Sequence, residues 1–391
     1  LGVRLKYNVP HELEIETKTP TSVSQPYWLE KDHGGVYDID DLTHIHSAAG
    51  PAAMNVEFVL SVNDMEIRHS VPVQYRWVDR VDGELYQDLA VTPQASVSLD
   101  KNVFISLNLD TVLVNVTCRD AYDGSEGSVT LDAPKNWQVF PSSIDVTLKE
   151  GQQKIVQFKL VPRNAGTQGT MTARFTTTNE SIDREMVVVD HPHISPQVFF
   201  RSAEAKMLSM NLYNKGQRIA YVMGSGDEIP ASLDLMGYSV DQLTPSDLTT
   251  MDLNFYDVVI TGIRAWNTEK DLGYANEALE QYVNNGGNLL IQYNTNRGLA
   301  ADQLGPVTFK IGRGRVTKEG AKAEFLDHEH AIFNDPNIIS PTDMDGWVQE
   351  RGLYFAEEWS ESFTPLIAWN DPGEEPLKGA LIVADPVSYT H

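Results

Sequence analysis

The chain has 391 residues, 41% of them hydrophobic, a length typical of two or three domains. Asp and Glu number 55 and Lys and Arg 30, so the formal net charge is −25. We expect neither nucleic acid nor an anionic membrane surface as a partner, because both repel an acidic surface. No apolar run approaches the ~18 residues of a membrane span. The single cysteine, Cys118, can form neither an internal disulfide nor a zinc–thiolate site.

The first 190 residues contain short runs in which apolar and polar side chains alternate, which is the pattern of β-strands. Turn residues separate these runs at regular intervals, as is typical of β-sandwiches. We predict two sandwich modules, over residues 1–92 and 93–192, with the break near the linker-like run Val91-Thr92-Pro93-Gln94. The predicted strands are 55–62, 71–78, 102–109, 111–118, 143–148 and 154–161.

The pattern changes at the proline-containing run 190–196, which we interpret as a connection between domains. Strand and helix signals then alternate, which predicts an open parallel sheet with helices on both faces over residues 193–385. Asp227 is the candidate N-cap of the first helix, and Pro230 lies in its first turn. Strands are predicted at 217–223, 238–243, 256–261 and 288–293, and helices at 227–236 and 272–284.

Three loops follow strands of this predicted sheet, where doubly wound folds bind ligands. The Gly224-Ser225-Gly226-Asp227 loop could bind an anion through its amides, but a tight turn is favoured because the acidic residues compete for the helix N-terminus. In the loop 261–267, Arg264 and Trp266 could clamp a carboxylate or stack on a sugar; alternatively they pack over the sheet end. The loop 293–297 contains Asn294. Thiol chemistry is not expected, since residues 193–385 contain no cysteine.

Histidines occur in three near pairs, but a zinc site needs at least a third ligand. Solvent-exposed loop histidines are the favoured interpretation of the first pair, and the second pair lies in the predicted connection between domains. The run Asp327-His328-Glu329-His330 is the most suggestive of acid–base or metal chemistry. We predict no catalytic residue and no metal ligand in this chain. The pairs are His44/His46, His191/His193 and His328/His330, and the candidate ligand-binding crevice is Gly224, Asp227, Arg264, Trp266, Asn294 and His328.

Several runs resemble the C-terminal half of bacterial PIG-L family (LmbE-like) deacetylases, and the resemblance spans nearly the whole chain. The runs are SQPYWL (24–29), GELY (83–86), ITGIRAWN (260–267), LIQYNT (290–295) and GWVQERGLYF (346–355). Residues 97–189, with APKNW (133–137), resemble the NEW3-type β module, and NGGNLL (285–290) resembles the glycine-rich run before the elbow strand of ThuA-like and class I amidotransferase-like domains. The resemblance implies two immunoglobulin-like sandwiches followed by a flavodoxin-like α/β domain that continues past Asp385.

The last residues are expected to be foreign to this fold. Val-Ser-Tyr-Thr-His is the in-frame translation of a common sequencing-library transposon end, and the bases before it complete the codon of Pro386. We therefore predict that residues 386–391 are derived from an adapter and that the α/β domain is truncated after Asp385.

In PIG-L deacetylases the chemistry resides in an N-terminal domain, where a zinc-bound water removes the acetyl group from an N-acetylated amino sugar. The metal-binding motif of that domain, Ala/Pro-His-Pro-Asp-Asp-Glu, does not occur here, so none of its catalytic residues corresponds to a residue of this chain. The resemblance implies a non-catalytic accessory region without a cofactor of its own, with zinc held by the separate catalytic domain. It also implies a periplasmic or secreted location, with that deacetylase domain and a glycan as candidate partners.

Two alternatives stay open. The chain could be a sugar-binding module, because aromatic side chains such as Tyr27, Trp28, Trp77 and Trp137 could form sugar platforms, although buried core is their usual role. It could also be a ThuA-like carbohydrate-active enzyme that uses the crevice, if His328 converges on the loop 261–267.

Overall fold

The computed structural model describes residues 3–18, 20, 22–31, 34–48, 50–63, 65–345 and 352–385. Most of the run GWVQERGLYF and the predicted adapter 386–391 lie outside the described residues. The described chain is mostly β-structure in many small sheets, and it divides into two compact units, with the division after Met210. In the described part, no helix is long and apolar enough to cross a membrane.

The strands described in the first unit are β1 (Asn55–Val62), β2 (Met65–Pro72), β3 (Gln74–Asp79), β4 (Gly83–Asp88), β5 (Ala95–Leu99), β6 (Val103–Leu107), β7 (Val112–Asp120), β8 (Ser125–Asp132), β9 (Trp137–Phe140), β10 (Ile144–Leu148), β11 (Gln153–Pro162), β12 (Thr167–Thr177), β13 (Ser181–Ile182), β14 (Arg184–Val189), β15 (Gln197–Ser202) and β16 (Glu204–Met210). Short 3-10 helices cover Tyr27–Leu29 and Leu42–His44.

Two sheets of this unit enclose one hydrophobic core and form a β-sandwich. One has the strand order β10-β8-β12-β16-β6, with β13 paired to β12, and the other has the order β5-β7-β11-β9. Successive side chains of a strand point to opposite faces, so in β7 every second residue, Val114, Val116 and Cys118, is fully buried. Phe158 of one sheet and Phe175 of the other belong to the same core. Burial raises the pKa of the Cys118 thiol to about 12.

The sandwich extends past residue 192, where we placed its end. The run 190–196, interpreted as a domain connection, instead joins β14 to β15, which pair with each other as antiparallel strands. β16 then lies between β12 and β6 in the larger sheet. A proline-containing run has the same composition in a hairpin loop as in a linker, so composition could not distinguish the two.

The described residues 55–63 and 65–88 form two β-ribbons, β1–β2 and β3–β4, in place of the sandwich predicted for residues 1–92. Among the described residues, Val91 is the first that is buried. One face of the β1–β2 ribbon carries the opposed pairs Leu60/Ile67 and Val62/Met65, and all four side chains are exposed. Period-two alternation predicts an amphipathic strand but does not specify what covers its apolar face, so it could not distinguish a ribbon from a sandwich.

The elements described in the second unit are β17 (Arg218–Val222), α1 (Ile229–Leu235), β18 (Ser239–Gln242), α2 (Pro245–Thr250), β19 (Val258–Thr261), α3 (Ala265–Thr268), α4 (Asn276–Asn284), β20 (Asn288–Ile291), β21 (Phe309–Ile311), β22 (Arg315–Val316), β23 (Glu324–Phe325), α5 (Ala331–Asn334), β24 (Gly352–Leu353), β25 (Ala356–Trp359), β26 (Phe363–Trp369) and β27 (Leu377–Ala384). Short 3-10 helices cover Leu253–Phe255, Lys270–Ala275 and Pro341–Met344.

A parallel sheet of order β18-β17-β19-β20 forms the first half of this unit. Its central strand β17 is buried on both faces, as expected where helices cover a parallel sheet. Helix α4 places Leu279, Tyr282 and Val283 in the core, and Gly286 follows its end with φ +94°, a conformation that favours glycine. Four predicted strands of the parallel sheet therefore lie within a residue or two of the observed ones.

The second half of the unit differs from the predicted strand–helix alternation. The described residues 309–345 and 352–384 form short antiparallel pairs and the sheet β23-β26-β27, whose side chains build a separate core around Phe325, Phe333 and Trp369. Several of these strands have only two to four residues. Runs this short contain too few residues to show a period, so the sequence pattern did not indicate them.

Candidate functional site

The parallel sheet reverses its winding direction between β17 and β19. After β17 the chain adds β18 on one side, and β19 and β20 follow on the other side. The loops that leave β17 and β19 therefore lie beside each other at the carboxyl end of the sheet, where open α/β sheets bind ligands. We call the loops 223–228, 262–264 and 292–297 the carboxyl-edge loops.

Gly224 brings the first two carboxyl-edge loops into main-chain contact. A Cβ atom at this position would lie 2.1 Å from the carbonyl oxygen of Ile263 and 2.6 Å from the amide nitrogen of Ala265. Ser225 donates two hydrogen bonds to the same Ile263 oxygen, from its amide at 2.9 Å and from its hydroxyl at 3.2 Å. Gly224 therefore allows close packing of two loops, because any side chain there would overlap the neighbouring main chain.

Asp227 bonds to the sheet below it and is not the N-cap of α1. Its carboxylate oxygens each accept a hydrogen bond from the Tyr221 hydroxyl at 2.8 Å, and one also accepts from the Ile229 amide at 3.0 Å. The N-cap position belongs to Glu228, whose side chain makes no capping bond. Helix α1 therefore begins at Ile229, two residues after the predicted start, and the Asp227 carboxylate accepts a hydrogen bond from a buried phenol instead.

Tyr221 is the centre of a short polar chain that the sequence did not single out. Its side chain is fully buried, and its hydroxyl accepts a hydrogen bond from the Gln292 side chain at 3.1 Å while donating to Asp227. Burial, followed by the bond to Asp227, raises the pKa of the Tyr221 phenol far above its ordinary value. Gly262 packs on the tyrosine ring, since a Cβ atom there would lie 2.7 Å from the hydroxyl oxygen. Tyr221 therefore remains a neutral donor.

Trp266 and Asn294 connect the second loop to the third. Trp266 is fully buried; its indole nitrogen donates to the Thr261 hydroxyl at 3.2 Å and its amide donates to the Asn294 side-chain oxygen at 3.1 Å. Asn294 is 2% exposed and donates in turn to the Gln292 carbonyl at 2.7 Å. Stacking on a sugar requires an exposed ring face, so the structure contradicts that role for Trp266 and supports the alternative that it packs over the sheet end.

Asn267 adds a second connection between these loops. Its side-chain oxygen accepts from the Thr295 amide at 2.9 Å, and its side-chain nitrogen donates to the carbonyls of Thr295 and Arg297 at 3.2 and 2.9 Å. Sequence reasoning did not select Asn267. The available signal was a run of polar side chains directly after two strands, at 261–267 and 292–297, which indicates hydrogen bonding across a shared sheet edge.

Arg264 is held in the left-handed region, with φ +59° and ψ +21°. Its amide donates to the Tyr293 carbonyl at 2.7 Å, and its carbonyl accepts from the amides of Asn267 and Thr268 at 2.9 and 3.0 Å. The residue is exposed, and the guanidinium forms no ion pair or hydrogen bond with any described residue. Arg264 is thus a crevice candidate whose side chain is exposed.

His328 does not join the carboxyl-edge loops. Its ring stacks on Phe325, with centroids 5.8 Å apart, and its carbonyl accepts from the Asn334 side chain at 2.7 Å. Within the described residues it makes no hydrogen bond to the loop 261–267, so the convergence required for a hydrolytic site is not observed. His330 caps α5 by accepting from the Ile332 amide at 3.2 Å. The part of the chain that the structure describes contains no group of three or more His, Cys, Asp or Glu residues that could hold a metal ion.

Comparison with known proteins gives no family assignment. No family model and no curated protein matches the sequence. Among solved structures, the chain is similar to a family 123 glycoside hydrolase from Clostridium perfringens, with 10% identity, a TM-score of 0.20 and coverage of 50% of this chain and 37% of that chain. It is also similar to a chain of the chaperone–tip adhesin complex of CFA/I fimbriae, with 14% identity, a TM-score of 0.18 and coverage of 32% and 61%. The chain spans less than two thirds of both structures, and neither likeness bears on fold or function.

Proposed function

We propose that this chain is a non-catalytic accessory region of a zinc-dependent PIG-L-type deacetylase that acts on N-acetylated amino sugar conjugates. The sequence runs that resemble this family support the proposal, and two of them, ITGIRAWN and LIQYNT, pass through the carboxyl-edge loops.

The internal bonding of the carboxyl-edge loops is the structural observation that favours an accessory role. The polar groups of Thr261, Trp266 and Asn294 bond to each other or to main chain beneath the surface. A catalytic nucleophile or base must reach the atoms of a substrate, and groups engaged in this way hold the loops together instead. The arrangement is therefore that of a scaffold.

The finer fold assignment belongs to the same proposal. We infer that the sandwich of the first unit is an immunoglobulin-like, NEW3-type module and that the parallel sheet is the core of a flavodoxin-like, class I amidotransferase-like domain. Numbered in chain order, the parallel strands lie in the order 2-1-3-4, as in a flavodoxin-like sheet up to its fifth strand.

In this proposal the zinc ion is bound by another domain of the same polypeptide. We assign no step of deacetylation to this chain, because the metal-binding motif of that family does not occur in its sequence. Its partners would be the N-terminal deacetylase domain and a glycan, and its location would be the periplasm or the exterior of the cell.

The gene recovered from unfragmented DNA is the decisive test. We expect an upstream domain that contains the His-Pro-Asp-Asp motif, and a reading frame that continues past Asp385. The full-length protein should release acetate from N-acetylglucosamine conjugates in a chelator-sensitive reaction, whereas residues 1–385 alone should release none. A reading frame that begins near Leu1 and ends at His391, or acetate release by the isolated chain, would contradict the proposal.

A sugar-binding role is the second candidate, because one aromatic pair lies on an open ribbon. Tyr75 and Trp77 of β3 stack with centroids 5.6 Å apart and ring planes 22° apart, and Tyr75 is 68% exposed. Aromatic rings of this kind stack on sugar rings, whereas Trp137 and Phe355 are buried. Tyr75→Ala should reduce retardation in polysaccharide-containing native gels, and Tyr274→Ala, a change at an exposed tyrosine of the second unit, should not. Equal retardation of both variants would refute this candidate.

A further inference from the structure

We propose that Arg264 is a carboxylate-binding residue and that the carboxyl-edge loops bind a small polyhydroxylated acid of the uronic acid class. This inference does not depend on the accessory role proposed above. It assigns a ligand class to the exposed guanidinium at the edge of these loops.

Arg264 has a main-chain conformation that is unusual for an arginine. Side chains with a Cβ atom disfavour the left-handed region, and most of the other described non-glycine residues found there are Asn or Asp, which tolerate it best. The hydrogen bonds to Tyr293, Asn267 and Thr268 nevertheless hold Arg264 in this state. A glycine would satisfy the same main-chain geometry with less strain. A non-glycine residue that its surroundings hold in the left-handed region is typical of ligand-binding sites.

The guanidinium of Arg264 is exposed and has no partner among the residues that the structure describes. Acidic residues outnumber basic ones by 55 to 30, yet Arg264 has no carboxylate partner within the described part of the chain. On the adjacent loop, the Asp227 carboxylate already accepts hydrogen bonds from Tyr221 and Ile229, and Glu228 forms no ion pair with Arg264. An exposed guanidinium at the point where the sheet reverses its winding direction is positioned for a ligand from solution.

The groups on and beside the Arg264 loop restrict the chemistry of that ligand. A guanidinium is a planar fork of donors that matches the two oxygens of a carboxylate. The neighbouring Asp227 and Glu228, together with the net charge of −25, disfavour a dianion such as phosphate. Ser225 is joined to the arginine loop through Ile263, and its hydroxyl can still accept a hydrogen bond from a ligand hydroxyl. These features together select a singly charged acid that also carries hydroxyl groups.

Titration with three probes tests the assignment. D-Glucuronate, D-glucose, in which a hydroxymethyl group replaces the carboxylate, and inorganic phosphate are each titrated against the intact chain, and binding is followed by ligand-detected NMR. We expect saturable binding of glucuronate at least tenfold tighter than that of either other probe. Equal binding of glucose would overturn the carboxylate assignment, and equal or tighter binding of phosphate would overturn the choice of a singly charged acid. No binding of glucuronate would overturn the proposal as a whole.

Variants separate a ligand role from a structural one. Arg264→Gln should weaken glucuronate binding at least tenfold, and Arg264→Lys, which keeps the charge but loses the planar fork, should weaken it less. Arg313→Gln makes the same charge change at another exposed arginine of this unit and should leave binding unchanged. Arg264→Gly should melt at the same temperature as the parent protein or higher, because strain is relieved, and should still lose binding. Retained binding in Arg264→Gly would overturn the proposal.

Discussion

Replacement of Gly224 by alanine tests the contact that joins the first two carboxyl-edge loops. The new methyl group would lie 2.1 Å from the Ile263 carbonyl oxygen, so main chain must move away from main chain. That movement breaks the 2.9 Å hydrogen bond from the Ser225 amide, a loss of about 1 kcal/mol, and forced overpacking adds about 1–3 kcal/mol. We expect Gly224→Ala to destabilise the parallel sheet by about 2–4 kcal/mol.

Two further glycines provide controls for this change. Gly226 lies in the same loop and also has a positive φ, +95°, but a Cβ atom there would meet no neighbouring atom. Gly226→Ala should therefore lose only about 1–2 kcal/mol of stability, through backbone strain alone. Gly320 has neither positive φ nor a close neighbour, so Gly320→Ala should be neutral. Native-state hydrogen exchange of peptides from β17 and β19 measures the opening free energy of this sheet separately from the sandwich. An opening free energy in Gly224→Ala no lower than in Gly226→Ala would refute the overpacking expected at Gly224.

Four other predictions rest on single buried or hydrogen-bonded groups. Asn294→Ala leaves the main-chain amide of buried Trp266 without its acceptor and should destabilise the parallel sheet by about 2–3 kcal/mol. The same hydrogen-exchange experiment measures this loss. A change below about 0.5 kcal/mol, the size of an average surface substitution, would contradict the prediction. Asp120 is fully buried and accepts hydrogen bonds from a serine hydroxyl and two main-chain amides, so Asp120→Ala should destabilise the sandwich by about 2–4 kcal/mol in thermal unfolding. The Cys118 thiol, with its pKa raised to about 12, should resist a thiol reagent at pH 8 in the native protein and react fast in urea, and fast labelling without urea would disprove its burial. Hydrogen bonds from two main-chain amides at the start of β17 lower the pKa of Asp257. The ionised carboxylate therefore stabilises the fold above the unfolded-state pKa of about 3.9, and this stabilisation is lost as pH falls through the lower folded-state pKa. Asp257→Asn should flatten the decline of stability below about pH 4 in acid titrations followed by circular dichroism.

The parallel sheet was predictable because each of its strands is recognisable from a short stretch of its own sequence. β17 and β19 are buried on both faces, so each appears in the sequence as a short apolar run between turn residues. Helix α2 was not predicted, since Leu248 is the only buried residue in its six-residue length. Its start was nevertheless readable, because Thr244 and Asp247 form a capping box around Pro245. A search for caps would have found what a search for periodicity did not.

The site was predictable only in outline. Strand ends predicted which loops meet, but the bond from the Trp266 amide to Asn294 joins residues 28 positions apart, and no local pattern encodes such a pairing. Tyr221 was overlooked because it lies inside an apolar strand and resembles an ordinary core aromatic residue until its hydroxyl partner is known. His328 was selected because acidic residues and a second histidine adjoin it in sequence. Closeness to these residues along the chain does not bring His328 to the crevice loops, and its ring packs on Phe325 instead.

The β1–β2 ribbon has a practical consequence for anyone who handles this protein. In the described part of the chain each of its two strands pairs with the other alone, so each retains an outer edge of amides and carbonyls that another strand can join. The same ribbon exposes Phe58, Leu60, Ile67 and Met65 on one face. Edge pairing and apolar contact are the two attractions that drive intermolecular aggregation. The apparent molecular mass from light scattering should therefore rise with protein concentration, and dilute samples with a mild detergent should remain clear.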